Sequence, residues 1–241
     1  MDISQKFKVM EASSVRKLSI YAEEAKKNGK KVYHLNIGQP DLATPAPYFE
    51  RIRNFKESAT EYMPSLGIPQ LIEKIQAYYG DLGIHYDKDQ IAVTNGGTEA
   101  LLFTFLAIAN EGDEILLPEP FYSNYTTFFT ISGAISIPIT TYAENGFHFS
   151  EEDLTSNITK RAKAILISTP GNPTGAVLSM DEIKMVARIA KEYDLYLIAD
   201  EVYREFVFDG REIASFGFLP EIEDRLIIID SVSKRFNACG A

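Results

Sequence analysis

Arg225-Leu226-Ile227-Ile228-Ile229-Asp230-Ser231-Val232-Ser233-Lys234-Arg235-Phe236 changes character in mid-stretch. Leu226 to Ile229 is an aliphatic run of the kind that forms a buried strand. It gives way at once to an acid, two serines and a lysine. A strand that ends this way carries Lys234 to the carboxyl edge of a sheet. In open α/β sheets that edge is where ligands sit. Removal from water lowers the pKa of an ammonium and frees a nucleophilic amine, so Lys234 is a candidate for Schiff-base chemistry.

Strands and helices alternate in the sequence leading up to that stretch. Strands are expected at 91–94, 114–117, 134–139, 163–168, 195–199 and 226–229, and helices at 98–109, 123–131 and 179–191. Nearly continuous apolar strands separated by helices predict a parallel sheet covered on both faces. The fold class is α/β, a large doubly wound, three-layer sheet of seven or so strands. In the helix from Met180, Ile183, Val186, Ala187 and Ala190 form the apolar stripe, and Met185 also faces the core. Nearer the N-terminus a helix is expected over 14–28, with Ser13 as N-cap and Gly29 as stop. A short strand follows over 30–36 and a turn over 37–41. Pro45 and Pro47 open another helix, and Pro69 a further one to about Tyr79.

Composition narrows the function. With 241 residues, 45% of them hydrophobic, the chain has material for a substantial core. A net charge of -10 argues against nucleic acid and anionic membrane as partners. The single cysteine, Cys239, fits a reducing compartment. No apolar run follows the first charges as in a signal peptide, and no apolar segment is long enough to span a bilayer. A cytoplasmic protein is expected.

The chemistry gathers where the strands end. Asn95-Gly96-Gly97-Thr98 leads into a helix whose free N–H groups suit an anion, although neither a Walker loop nor a dinucleotide motif is present. Pro118-Glu119-Pro120-Phe121-Tyr122 offers aromatic faces after the next strand. Thr169-Pro170-Gly171-Asn172-Pro173-Thr174-Gly175 fixes Asn172 between rigid turn residues. Asp200-Glu201-Val202-Tyr203 puts a carboxylate directly after a buried strand, with no cation nearby in sequence. A buried carboxylate needs a partner, and a ligand cation would serve.

Together these pieces resemble the class I and II aminotransferases, fold-type I enzymes dependent on pyridoxal 5'-phosphate (PLP), like aspartate aminotransferase. The resemblance rests on Gly96-Gly97-Thr98, Asn172-Pro173-x-Gly175, Asp200-x-x-Tyr203 and Ser231-x-Ser233-Lys234 in that order. It implies transfer of an amino group from an L-amino acid to a 2-oxo acid through a Lys234 aldimine, with no metal. Lys234, Asp200 and Tyr203 are the implied catalytic residues. Asp200 would pair with the pyridine nitrogen, and Tyr203 and Asn172 would donate to the ring 3-oxygen. Gly97, Thr98, Ser231 and Ser233 would bind the phosphate, and Tyr122 would stack on the ring. Gly38 and Asn172 would meet the substrate. Tyr62 would reach the partner subunit's phosphate, which implies a homodimer.

The family continues beyond Ala241 with further large-domain structure and a small C-terminal domain, so the sequence reads as a C-terminally truncated fragment. Residues 1–45 would belong with the small domain, and 46–241 with the PLP-binding large domain. A PLP-dependent lyase or synthase on the same fold shares every motif. A non-catalytic PLP-binding fragment is the other alternative.

Overall fold

The computed structural model describes residues 1–10, 17–36, 38, 42–56, 58–59 and 61–240. The N-terminal part is helical: α1 (Gln5–Val9), α2 (Ser19–Lys27) and α3 (Ala46–Arg53) bury none of their residues. Gly29, at φ 74, stops α2 as expected. Ser13 and Val15 lie outside the described residues, as does most of the turn around Gly38. α4 (Pro69–Asp81) starts on its proline and buries Ile72 and Tyr79.

Alternation then sets in. α5 (Gly97–Ile108), β1 (Glu114–Glu119), α6 (Tyr125–Ser132), β2 (Ile135–Thr140), α7 (Glu151–Thr155) and β3 (Ala162–Ser168) follow one another. After them come α8 (Met180–Glu192), β4 (Tyr196–Asp200), β5 (Leu226–Ile229) and α9 (Val232–Arg235). The described strands form one sheet in the order β2-β1-β3-β4-β5. Every pairing is parallel.

Strand side chains alternate between the faces, and the core divides accordingly. On one face Leu116, Ile165, Ile167, Leu197 and Ala199 pack with Ile183, Val186, Ala187 and Ala190 of α8. On the other, Ile115, Leu117, Ala164, Leu166 and Ile198 pack with Leu101 and Phe105 of α5 and Phe128 of α6. Each such fully buried aliphatic side chain contributes about 1.5–3 kcal/mol. Helices therefore cover both faces, which is the three-layer α/β/α arrangement. The stripe on α8 is the expected one, and Met185 packs at the core's margin.

Two expected strands are absent. Residues 30–36 and 91–94 are without strand pairing. Ile91 is buried, but Val93 N–H reaches only the Leu66 carbonyl of a loop, so no ladder forms. The sheet has five described strands rather than seven. The short helices α1 and α7 are not anticipated by periodicity. α7 is fixed by a capping box between Ser150 and Asp153.

Candidate active site

In a parallel sheet all carboxyl ends lie along one edge, and the register aligns them. Ser168 of β3 pairs with Asp200 of β4, which pairs with Ile229 of β5. Asp200 thus stands mid-row, one residue short of the loop carrying Tyr203. Asp230 and Ser231 follow β5 directly. Chain order reverses between β1 and β3, the kind of switch point where doubly wound sheets open a crevice. A cavity of about 40 Å³ lies there, lined by Pro118, Phe121, Tyr125, Ser168 and Asn172 among others.

Asp200 is buried and enters no ion pair among the described residues. Burial pushes its carboxyl up to about 6; Tyr125 and the Val202 N–H oppose the shift, while the charges of Asp230 and Glu201 add to it. No cation pairs with Asp200 among the described residues, but a partner distant in sequence does. The Tyr125 hydroxyl donates to its Oδ2 at 2.5 Å, and Val202 N–H lies 3.4 Å from Oδ1. Tyr125 is 1% exposed, and burial drives its phenol well above the ordinary value. The sequence alone assigns Tyr125 no role. A tyrosine opening a buried helix beside a strand end is the available signal, because a buried phenol seeks a polar partner.

Tyr203 lies within reach of several candidates. Burial raises its phenol, as do the charge of Asp200 and the neighbouring Tyr122, while a hydrogen bond with Asn172 lowers it. Tyr122 is half-buried, accepts a hydrogen bond from Asn124 at 2.8 Å, and meets Tyr125 edge-on at 5.5 Å. Asp200, Tyr203, Asn172 and Tyr122 are therefore neighbours, although they come from the ends of three strands.

The anion-binding candidates meet at the other end of the row. Gly96, at φ 78, takes the left-handed turn that favours glycine. A methyl group on Gly97 would lie 3.7 Å from Val202 and Ile229 side chains and 3.9 Å from the Asp230 carbonyl. The α5 N-terminus thus abuts the ends of β4 and β5. Its N-cap Gly96 has no side chain to cap it, Glu99 of the first turn accepts from Asn95 N–H at 2.6 Å, and Thr98 is exposed in the same turn. Ser231 caps α9, its Oγ accepting from Ser233 N–H at 3.1 Å and donating to Ser233 Oγ at 2.9 Å. Lys234, in the last turn of α9, is partly buried, and its Nζ donates to the Gly38 carbonyl at 3.0 Å. Gly38 is therefore brought beside the amine. Tyr62 is fully exposed, and no described contact brings it to this site.

The sequence matches the family described as aminotransferase class I and II over residues 30–241. The chain belongs to the class I and II aminotransferases. It is 34% identical over 222 residues to a probable aspartate/prephenate aminotransferase of Aquifex aeolicus, covering 91% of this chain and 56% of that one. It is 32% identical to aromatic-amino-acid aminotransferase 2 of Thermococcus litoralis, covering 100% and 61%. Among solved structures, an aspartate aminotransferase from Thermotoga maritima superposes with a TM-score of 0.93 at 30% identity, covering 99% and 64%. The chain spans 55–62% of the length of the curated relatives compared.

PLP is the expected cofactor of a class I and II aminotransferase. The donor set fits it. A buried carboxylate without a cation suits a pyridinium nitrogen. Open helix N–H groups beside hydroxyls suit a phosphate. An amine resting on a carbonyl, and in no ion pair among the described residues, suits an aldehyde.

Proposed function

We propose that the whole protein is a PLP-dependent aminotransferase, moving an amino group from an L-amino acid to a 2-oxo acid, and that this chain carries its cofactor site. The buried Asp200 carboxyl, in no ion pair among the described residues and pushed up to about 6, carries the reading. Relatives named for aspartate and for aromatic amino acids support an acidic or aromatic donor.

In this reading Lys234 Nζ would hold the cofactor aldehyde and, once freed by a substrate amine, would carry a proton from the substrate α-carbon to the aldehyde-derived carbon of the cofactor. Bound PLP supplies an electron sink for the charge left on that carbon. Asp200, oriented by the Tyr125 hydroxyl, keeps the ring nitrogen protonated. Tyr203 and Asn172 serve the 3-oxygen. Gly97, Thr98 and Ser231 serve the phosphate, with Ser233 bonded behind Ser231. Tyr122 flanks the ring. Gly38, beside the amine, and Asn172 face the substrate.

A homodimer completes the reading. Its support is the fully exposed Tyr62, offered to a partner subunit's phosphate, and the exposed Tyr48, Phe49, Ile52, Phe103 and Leu106. Residues 1–45 are read as part of a small domain and 46–241 as most of the large domain. Support comes from α1 and α2, which bury none of their residues. A lone cysteine and the lack, among described residues, of a helix able to cross a membrane fit a cytoplasmic setting.

The test is a half-reaction. The PLP-loaded protein is mixed with L-aspartate or L-phenylalanine, and bound pyridoxamine phosphate and free 2-oxo acid are quantified. Equal amounts of both are expected. Ammonia release without pyridoxamine phosphate would indicate a lyase, and no turnover of bound PLP would indicate a binding role only.

A further inference from the structure

Behind the site residues lies a buried ion network that the reading above does not use. Arg204 is fully buried beside Tyr203. Its Nε donates to Glu201 Oε2 at 2.7 Å, and its Nη2 to the Tyr79 hydroxyl at 3.0 Å. Its Nη1 reaches both the Tyr78 hydroxyl and Asp230 Oδ2 at 3.2 Å. Glu201, also fully buried, accepts from Ser215 Oγ at 2.8 Å and Phe216 N–H at 3.0 Å. Asp230 accepts from Ser231 N–H at 2.7 Å, from Tyr79 at 3.0 Å, and on both oxygens from Arg235 Nη2 at 3.0 Å.

The order along the chain gives this network a task. Glu201 adjoins Asp200, Arg204 adjoins Tyr203, and Asp230 adjoins Ser231. Asp200, Tyr203 and Ser231 therefore each have an immediate neighbour locked into one largely buried cluster. Asp230 accepts the Ser231 N–H directly, at the cap of the short helix that carries Lys234. Burial also favours a rigid arrangement, since a charge left unpaired there is strongly destabilising.

We propose that Arg204 is a positioning residue for PLP: by bridging Glu201 and Asp230 it fixes the spacing between the Asp200–Tyr203 loop and the Ser231–Lys234 turn. The inference rests on the PLP reading. The guanidinium fork is needed because separate nitrogens serve the two carboxylates at once, which a lysine ammonium cannot reproduce with the same geometry. Loss of the bridge leaves the individual cofactor contacts available but out of register. PLP, anchored at ring and phosphate together, then suffers more than pyridoxal, which lacks the phosphate.

The full chain and its Arg204→Lys, Asp230→Asn and Tyr79→Phe variants are titrated with PLP and, separately, with pyridoxal, following visible absorbance; far-ultraviolet circular dichroism confirms folding. Arg204→Lys and Asp230→Asn are expected to raise the PLP dissociation constant about tenfold or more. The pyridoxal constant is expected to rise much less, so the preference for PLP shrinks. A purely structural role would lower the melting temperature while leaving that preference in the folded protein unchanged, and would overturn the proposal. Tyr79→Phe removes only a hydroxyl and serves if the charge variants fail to fold; a PLP preference equal to that of wild type would then overturn it. Wild-type protein that forms no borohydride-trapped adduct with PLP at Lys234 would instead defeat the underlying PLP reading.

Discussion

An Asp carboxyl whose pKa is pushed from 3.8 up to about 6 binds more protons in the folded chain than in the unfolded one between those values. Stability must therefore fall as pH rises through that window. The penalty is absent below the unfolded value and complete above the folded one, and amounts to about 3 kcal/mol. Asp200→Asn is accordingly expected to stabilise the cofactor-free protein by that order at pH 8, with the gain vanishing near pH 4. Urea unfolding at the two pH values measures it, and a gain that does not depend on pH defeats the account. A pyridinium beside Asp200 reverses the balance by favouring the carboxylate. Tyr125→Phe removes a donor that holds the Asp200 pKa down. The acid limb of PLP binding should then move to higher pH, as absorbance titrations across pH would record. Lys234, Asp200 and Asn172 stand out as candidates in the sequence because each lies at or beyond a strand end. Tyr125 does not, because its carboxylate partner lies 75 residues away. Arg204 was equally hidden, since Tyr79 and Asp230 reach it only through the fold.

Among the elements, α8 shows how local chemistry fixes a boundary. Ser179 Oγ accepts from Glu182 N–H at 3.3 Å, while Glu182 Oε2 accepts from Ser179 N–H at 2.7 Å. Ser179→Ala is expected to lower unfolding free energy by about 1 kcal/mol, read from the urea midpoint at unchanged slope. No loss would mean that core packing alone sets the start of α8. This helix and the strands 114–119, 162–168, 196–200 and 226–229 were legible because stripe, cap and apolar run agree. Residues 30–36 and 91–94 have the composition of strands but form no strand among the described residues. Pairing is a tertiary property, and composition does not report it. α7 is too short for periodicity to reveal; its signal was the Ser150–Asp153 box.

For the whole molecule, the fold class was legible because alternating apolar strands and helices leave little choice but a covered parallel sheet. The proposed homodimer stands apart from the fold: the role proposed for the exposed Tyr62 needs a second subunit. Mixing a Lys234→Ala chain with a Tyr62→Ala chain tests that role. In a hybrid dimer one site regains both native residues, so tight PLP binding should return to about half the sites of the hybrid. Mixtures that bind no better than their separate components contradict a shared site. The central claim, that the strand-end residues converge on one phosphorylated aldehyde held by Lys234, has a direct test in peptide mapping. The protein is incubated with limiting PLP, reduced with borohydride, digested and analysed by mass spectrometry. The account predicts a pyridoxyl group on Lys234, suppressed by Asp200→Ala and absent at that position in Lys234→Ala. Labelling of exposed lysines such as Lys30 and Lys160 as heavily as Lys234 would contradict it.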